Sequence, residues 1–320
     1  MLELAIPIKE TIEKSIFEEL VTWFSELPDN AEWYVISDYC FEDREKKNDV
    51  ASFSVLLNHD KLKNIKEYIN SFTPKDIKST RTVSPAFLQY VNSPVIFTFT
   101  FVLDRSSKLL RDYAEKDNMQ SFLPEFHNFV KIIESNSSFE KGFVESVLRR
   151  AKQFHESFKT KNFNARLSRQ IYLVATFASL IFLYLNKVKK PSHIAWVSDR
   201  DALVDKYDGF VYDLAYFMFL AEYSQDTSVR EGAKPLRIDK PHFIFPLPAK
   251  SGSNEYDELI RIPDYLAGTL ADLDIDANEF TKDKYYTVLK SSLVNSKNHA
   301  IIHLRGSGPD IWSRRLVYQL

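Results

Sequence analysis

The chain carries a single cysteine, Cys40. With no second thiol, an internal disulfide and a cysteine-built zinc site are both excluded. Glycine is scarce as well, with only 7 in 320 residues. None falls into a dinucleotide-binding Gly-x-Gly-x-x-Gly, a phosphate-binding Gly-x-x-x-x-Gly-Lys loop or a Gly-x-Ser-x-Gly elbow, and Gly306-Ser-Gly308 is too short and too late to serve. Nicotinamide enzymes, nucleotide-driven motors and serine hydrolases are therefore not expected. An excess of charge is lacking too: 42 basic residues face 44 acidic ones, for a net charge of −2. No global field draws nucleic acid or acidic lipid, so such binding needs a local patch. The first residues have no basic stretch leading into an apolar run, so no signal peptide is expected, and a cytoplasmic location follows as the expectation. One apolar run, Ile171–Leu185, approaches membrane length. It is 15 residues long, contains Thr176 and Ser179, and is preceded by Arg166 and Arg169. A spanning helix needs about 20 residues, so a buried soluble helix with no membrane contact is expected. The 7 histidines are scattered. His299 and His303 are four apart in a strand-like segment, which spoils helical metal geometry.

What is present is aromatic. The 25 Phe and 16 Tyr supply an ample core. Residues 9–26 place Ile12, Ile16, Phe17, Leu20 and Phe24 at helical steps. Trp33–Tyr39 reads as a strand, with Ala51–Leu57 as its hairpin partner. Residues 60–71 read as a short polar helix. Val95–Leu103 alternates Phe97, Phe99 and Phe101 with Thr98 and Thr100, the pattern of a strand. From 105 to 190 the pattern is helical: Lys108–Tyr113, Phe126–Ile133, Phe143–Phe158 and Leu167–Leu185, with a break at Asn136-Ser-Ser138. A continuous apolar strand follows at 194–198, then a buried helix at 210–223, a short strand at 242–247 and a helix at 255–273. A helix at 281–294 and a last strand at 299–304 precede a turn and a basic end, Trp312-Ser-Arg-Arg315. No repeat or linker divides the chain. Residues 1–320 are expected to form one α/β domain, with 105–190 as a helical insertion.

One phrase occurs twice. Trp33-Tyr-Val-Ile-Ser-Asp38 and Ala195-Trp-Val-Ser-Asp199 are both apolar strands closing in Ser-Asp. Carboxylates at the C-terminal edge of buried strands lie where open α/β sheets bind ligands. If the two strands are neighbours, Asp38 and Asp199 meet within roughly 5–10 Å. Further acids follow at Asp201 and, on the late helix, at Asp257 and Asp264.

This order of strands and acids resembles the ribonuclease H-like fold. Within it, the chain is similar to a family of uncharacterised proteins with an Asp-Glu-Ser-Gly motif on the first strand, an Asp-Arg closing the fourth, and a late Gln-x-Ala-Asp-x-x-Ala-Gly helix motif. Here the fourth strand offers Ser198-Asp199-Arg200-Asp201 and the late helix Arg261-Ile-Pro-Asp264-Tyr-Leu-Ala-Gly268. Two departures stand out: Ser37-Asp38-Tyr39-Cys40 replaces Asp-Glu-Ser-Gly, and Pro263 replaces Ala. The resemblance implies a mixed sheet of about five strands and a nuclease hydrolysing phosphodiester bonds in RNA or DNA. Asp38, Asp199 and Asp264 would be catalytic, and together with Asp201 would hold Mg²⁺ or Mn²⁺. The chemistry agrees, because carboxylates held close need a cation to stay ionised, and hard divalent ions prefer oxygen donors. Arg200 would meet phosphate oxygens.

Each residue also has a plainer reading. Asp199 and Asp38 can cap the turns that follow their strands. Asp264, after Pro263, can be a first-turn acid of a helix starting there. Asp213, inside an apolar helix, calls for an Arg partner. The alternative function is a non-catalytic ribonuclease H-like binding or scaffold protein that assembles with a protein or nucleic-acid partner.

Overall fold

In the computed structural model, residues 4–105, 109, 116–136, 141–225, 242–307 and 310–319 are described. The expected helix at 108–113 and the polar stretch at 224–240 fall almost wholly outside them. The chain opens with α1 (Ala5–Ser15) and α2 (Phe17–Trp23), separated at Ile16 where the backbone leaves helical geometry. Next come β1 (Glu32–Cys40), β2 (Asn48–Leu57), α3 (Leu62–Phe72), α4 (Pro85–Val91) and β3 (Ile96–Asp104). Then α5 (Lys116–Asn136), α6 (Lys141–Ser157) and α7 (Ala165–Lys189) lead to β4 (His193–Ser198). The short α8 (Ala202–Asp205), α9 (Phe210–Gln225), β5 (Phe243–Ile244) and α10 (Asp257–Asp272) follow. The chain closes with α11 (Asp283–Val288), running into a wide π turn at 289–293, and with β6 (His299–Ser307) and β7 (Asp310–Leu316).

The protein is α/β with one mixed sheet of 7 strands in the order β5-β4-β1-β2-β3-β6-β7. The expectation of about five strands is corrected by β7 and by the position of β6. The basic end Trp312–Arg315 is not a tail after a turn but an edge strand antiparallel to β6. Its burial alternates weakly because it is an edge strand, so no core-facing period marked it in the sequence. The expected β1–β2 hairpin and its antiparallel neighbour β3 form a meander. β4 adds parallel to β1 and β5 parallel to β4, while β6 lies parallel to β3 on the other side.

Two cores cover the two faces. On one, Val35, Phe53, Phe97, Phe99, Phe101 and Trp196 meet α7, α9 and the N-terminal helices. On the other, Ile36, Val50, Val102 and Val197 lie under α10, α11, α3 and α4. α7 forms the floor of the first core. It is the one described helix with the length and apolarity to cross a membrane, yet 83% of its most apolar window is buried inside the protein. Thr176 and Ser179 bond back to the carbonyls of Tyr172 and Thr176, which satisfies them without water. Asp213 of α9 has the arginine it required: Arg150 of α6 meets it bidentately, with Nη2 2.8 Å from Oδ1.

Phe101 of β3 stacks on Phe177 of α7 with centroids 3.9 Å apart and planes 3° from parallel. Both rings are fully buried. Phe177→Ala is expected to destabilise the protein by about 3–5 kcal/mol through lost burial and an unfilled cavity. Chemical denaturation measures this, and a loss below about 1 kcal/mol would show that α7 is not the floor of the core.

Candidate acidic site at the β1–β4 edge

The two Ser-Asp phrases are neighbours. β1 and β4 pair in parallel with Trp33 beside Ile194 and Ser37 beside Ser198, and the Asp199 N–H donates to the Ser37 carbonyl at 3.1 Å. Alternation then sends serines and aspartates to opposite faces. On the α7 face, Trp196 Nε1 donates to Ser37 Oγ at 2.9 Å, and Tyr39 OH sits 2.7 Å from Ser37 Oγ and 3.1 Å from Ser198 Oγ. The serines thus satisfy a buried indole and a buried phenol. Asp38 and Asp199 follow on the α10 face, at the C-terminal ends of adjacent parallel strands.

α10 brings the third acid. Asp257 and Glu258 occupy its first turn, and Asp257 Oδ2 accepts the Asn254 N–H at 2.9 Å, so the helix starts well before Pro263. Leu259, Ile262, Leu266 and Leu270 form the stripe that packs on the sheet. Asp264 therefore sits mid-helix, and the reading of it as a first-turn acid is corrected. Its Oδ2 accepts the Ile77 N–H at 2.7 Å. Ile77 begins a 3₁₀ turn, Ile77–Ser79, which lies over α10. Gly268 permits the approach, since a Cβ there would come within 2.7 Å of Ile77 Cγ2. Lys284 of α11 fastens the turn from behind, donating to the carbonyls of Ile77 and Thr80.

The acids act on one another. Burial first, then the charges of Asp264 and Asp199, hold the Asp38 carboxyl well above its ordinary range. Burial pushes Asp264 up to about 7, against the lowering effect of the Ile77 N–H and with added repulsion from Asp76 and Asp199. Asp199 is raised by burial and by the charges of Asp76, Asp257 and Asp201, against the Arg200 N–H. Asp76 belongs to the cluster although nothing in the sequence marked it. It lies in the polar stretch 73–81, which has no period and no flanking strand.

Two expected site residues are placed elsewhere. Asp201 is the N-cap of α8: its Oδ1 accepts the Leu203 N–H at 2.9 Å. The capping role weighed for Asp199 falls to it instead, and this occupies one of its carboxylate oxygens. Arg200 turns to the following loop, donating to the Gly252 carbonyl at 2.9 Å and to Asn254 Oδ1 at 3.3 Å. It braces the segment before α10 rather than reaching into the acid cluster. Burial pushes the Cys40 thiol up to about 12, which makes it inert as a nucleophile. His299 is buried and held neutral, its pKa lowered to about 3. Among the described residues no group of three or more His, Cys, Asp or Glu side chains forms a ready metal cage. No known family, curated protein or solved structure matches this chain.

The raised carboxyls make stability pH-dependent. A carboxyl whose folded pKa lies above its unfolded one binds more protons in the folded state. Its contribution is full below the unfolded value near 4 and is lost as pH rises through the folded value, near 7 for Asp264. Without divalent ions, unfolding free energy should therefore fall between pH 5 and pH 8. Asp264→Asn should flatten that slope and stabilise the protein at pH 8 by on the order of 1–3 kcal/mol. Urea titrations at the two pH values measure this; a wild type equally stable at both would contradict the shift.

Proposed function

We propose that the chain is a Mg²⁺- or Mn²⁺-dependent nuclease, hydrolysing phosphodiester bonds of RNA or DNA, on a ribonuclease H-like sheet. The strand run β3-β2-β1-β4-β5, a meander followed by two parallel additions, supports the fold half of that reading. One observation carries the functional half. Asp38, Asp199 and Asp264 come from three separate elements to one sheltered place, and each is raised first by burial and then by nearby carboxylate charge. Such a set ionises fully only beside a cation.

The donors fit the ion. They are carboxylate oxygens, the set that Mg²⁺ and Mn²⁺ prefer. Mg²⁺ is usually held by one or two carboxylates, with waters and substrate phosphates completing the shell. Asp38 and Asp264 would hold the ion and Asp199 would flank it. A bound ion supplies charge stabilisation at the phosphate and a more acidic water. The chain's own contributions are definite. Ile77 N–H fixes the Asp264 carboxylate. Asp264, pushed up to about 7 chiefly by burial, would give up its proton on binding the ion. The Asp199 N–H bond to Ser37 locks the two strand ends together.

The second reading, a non-catalytic scaffold of the same fold, has its own support. Arg200 is occupied by the 252–254 loop, and the first strand lacks the Asp-Glu-Ser-Gly pattern. The two readings separate in one assay. Single- and double-stranded RNA and DNA are incubated with Mg²⁺ or Mn²⁺ and the wild type, Asp38→Asn or Asp199→Asn. A nuclease loses on the order of 10³-fold or more in rate with either substitution, because Asn keeps the shape but not the charge. Equal cleavage by all three proteins, or none by the wild type on any substrate, selects the scaffold.

A further inference from the structure

Sheet register connects the acid site to a second surface. One row across the α10 face runs Asp38, Ser52, Thr100, Ile301 and Leu316. The next row toward the C-terminal end of β1 runs Cys40, Val50, Val102, His303 and Arg314. One step further along the same face, Arg305 pairs with Trp312. The far end of the β6–β7 hairpin thus carries Arg305, Trp312 and Arg314 on the face and toward the edge that hold Asp38. β7 lies four strand spacings from β1, roughly 19 Å at about 4.8 Å each.

The three side chains differ from their neighbours. Trp312 is 55% exposed, whereas Trp33 and Trp196 are fully buried. Its indole stacks on no ring among the described residues. Arg305, its cross-strand partner on β6, and Arg314, two residues further along β7, are both exposed. Arg314 Nε donates to His303 Nδ1 at 3.3 Å, and Arg305 Nε lies 2.9 Å from Asp104, which offsets part of its charge. Arg315, on the opposite face, is committed to Glu19 and the Ser15 carbonyl. The alternation of β7 therefore separates a structural arginine from an outward one, and sets an exposed indole beside one arginine across the hairpin and another along its own strand.

We propose that this end of the β6–β7 hairpin is a binding surface for single-stranded nucleic acid, with Trp312 stacking on a base and Arg305 and Arg314 on flanking phosphates. An exposed indole with two arginines beside it offers a base a stacking face and its phosphates a positive charge. Only an unpaired base offers it a free face, which selects single strands over duplex. At about 3.4 Å per stacked nucleotide, the span from β7 to β1 corresponds to roughly six nucleotides. The inference rests on the nuclease reading for its ligand class, and it names the substrate form that reading leaves open.

Binding is measured without divalent ions, so cleavage plays no part. The probe is a fluorescein-labelled 20-nucleotide single strand of mixed sequence, DNA or RNA, with the matching duplex as second arm. The wild type is expected to bind the single strand and to show quenching of tryptophan fluorescence. Trp312→Ala should weaken binding at least tenfold and abolish most of the quenching, while Trp312→Tyr should stay within about threefold. The double substitution Arg305→Ala and Arg314→Ala should lower the slope of log affinity against log salt by about 1.4, at roughly 0.7 per phosphate contact. Matching thermal melts confirm that the exposed substitutions leave the fold intact. No binding by the wild type, binding indifferent to Trp312, or equal Trp312-dependent binding of the duplex overturns the proposal. Trp312-dependent binding without cleavage would sink the nuclease reading and leave this surface standing.

Discussion

The parallel pairing of β1 with β4 is the constraint from which the site follows. Ser37 lies beside Ser198, and the next residues on both strands are acids. Because side chains alternate across a sheet, one dipeptide meets two unlike demands. Its serine hydroxyls bond the Trp196 indole N–H and the Tyr39 hydroxyl inside an aromatic core. Its aspartates face a helix that carries a third acid. A slip of one residue in that pairing would turn charges into the apolar core and serines toward the cluster, at several kcal/mol for each buried unpaired charge.

Repulsion is the second consequence. Burial alone raises a carboxyl, and neighbouring carboxylates raise it further. Asp38 bears both effects, opposed by the Tyr39 N–H. The chain tolerates this because the backbone compensates locally: Tyr39, Arg200 and Ile77 each present an N–H to Asp38, Asp199 and Asp264. Lys284 feels the charge of Asp264, and Lys78 lowers the Asp264 carboxyl. Lys284 is also spent on carbonyls of the turn that carries Ile77, and so it acts on the site through the backbone as well. A place where several elements converge to hold acids against their own repulsion is costly for folding, and such costs collect at functional sites.

Much of this was legible in the sequence wherever one period dominated. β1 to β4 were marked by alternating or continuous apolar runs, and the repeated Ser-Asp phrase foretold their adjacency. The buried helix α7 was marked by a run too short to span a membrane and too apolar to be exposed. The remainder depended on contacts remote in sequence. The helix expected at 255–273 runs Asp257–Asp272 and absorbs Pro263 within it, so only the plainer reading of Asp264 as a first-turn acid falls. β7 showed no core period because it is an edge strand. Asp76 reaches the cluster only because Gly268 admits Ile77 and Lys284 fastens its turn. Arg200 and Asp201 were read by proximity to Asp199, whereas their partners, Asn254 and the Leu203 N–H, are local bracing.

The central claim is that Asp38, Asp199 and Asp264 share their charge with a divalent cation. Metal binding must displace whatever protons raised carboxyls hold near neutral pH. Calorimetric titration of Mn²⁺ into the protein at pH 6.5, in two buffers of different ionisation enthalpy, counts those protons directly. The account predicts saturable binding with release of at least about half a proton per ion, lost in Asp38→Asn and reduced in Asp264→Asn. No saturable heat, or binding with no proton release that persists in Asp38→Asn, would contradict it.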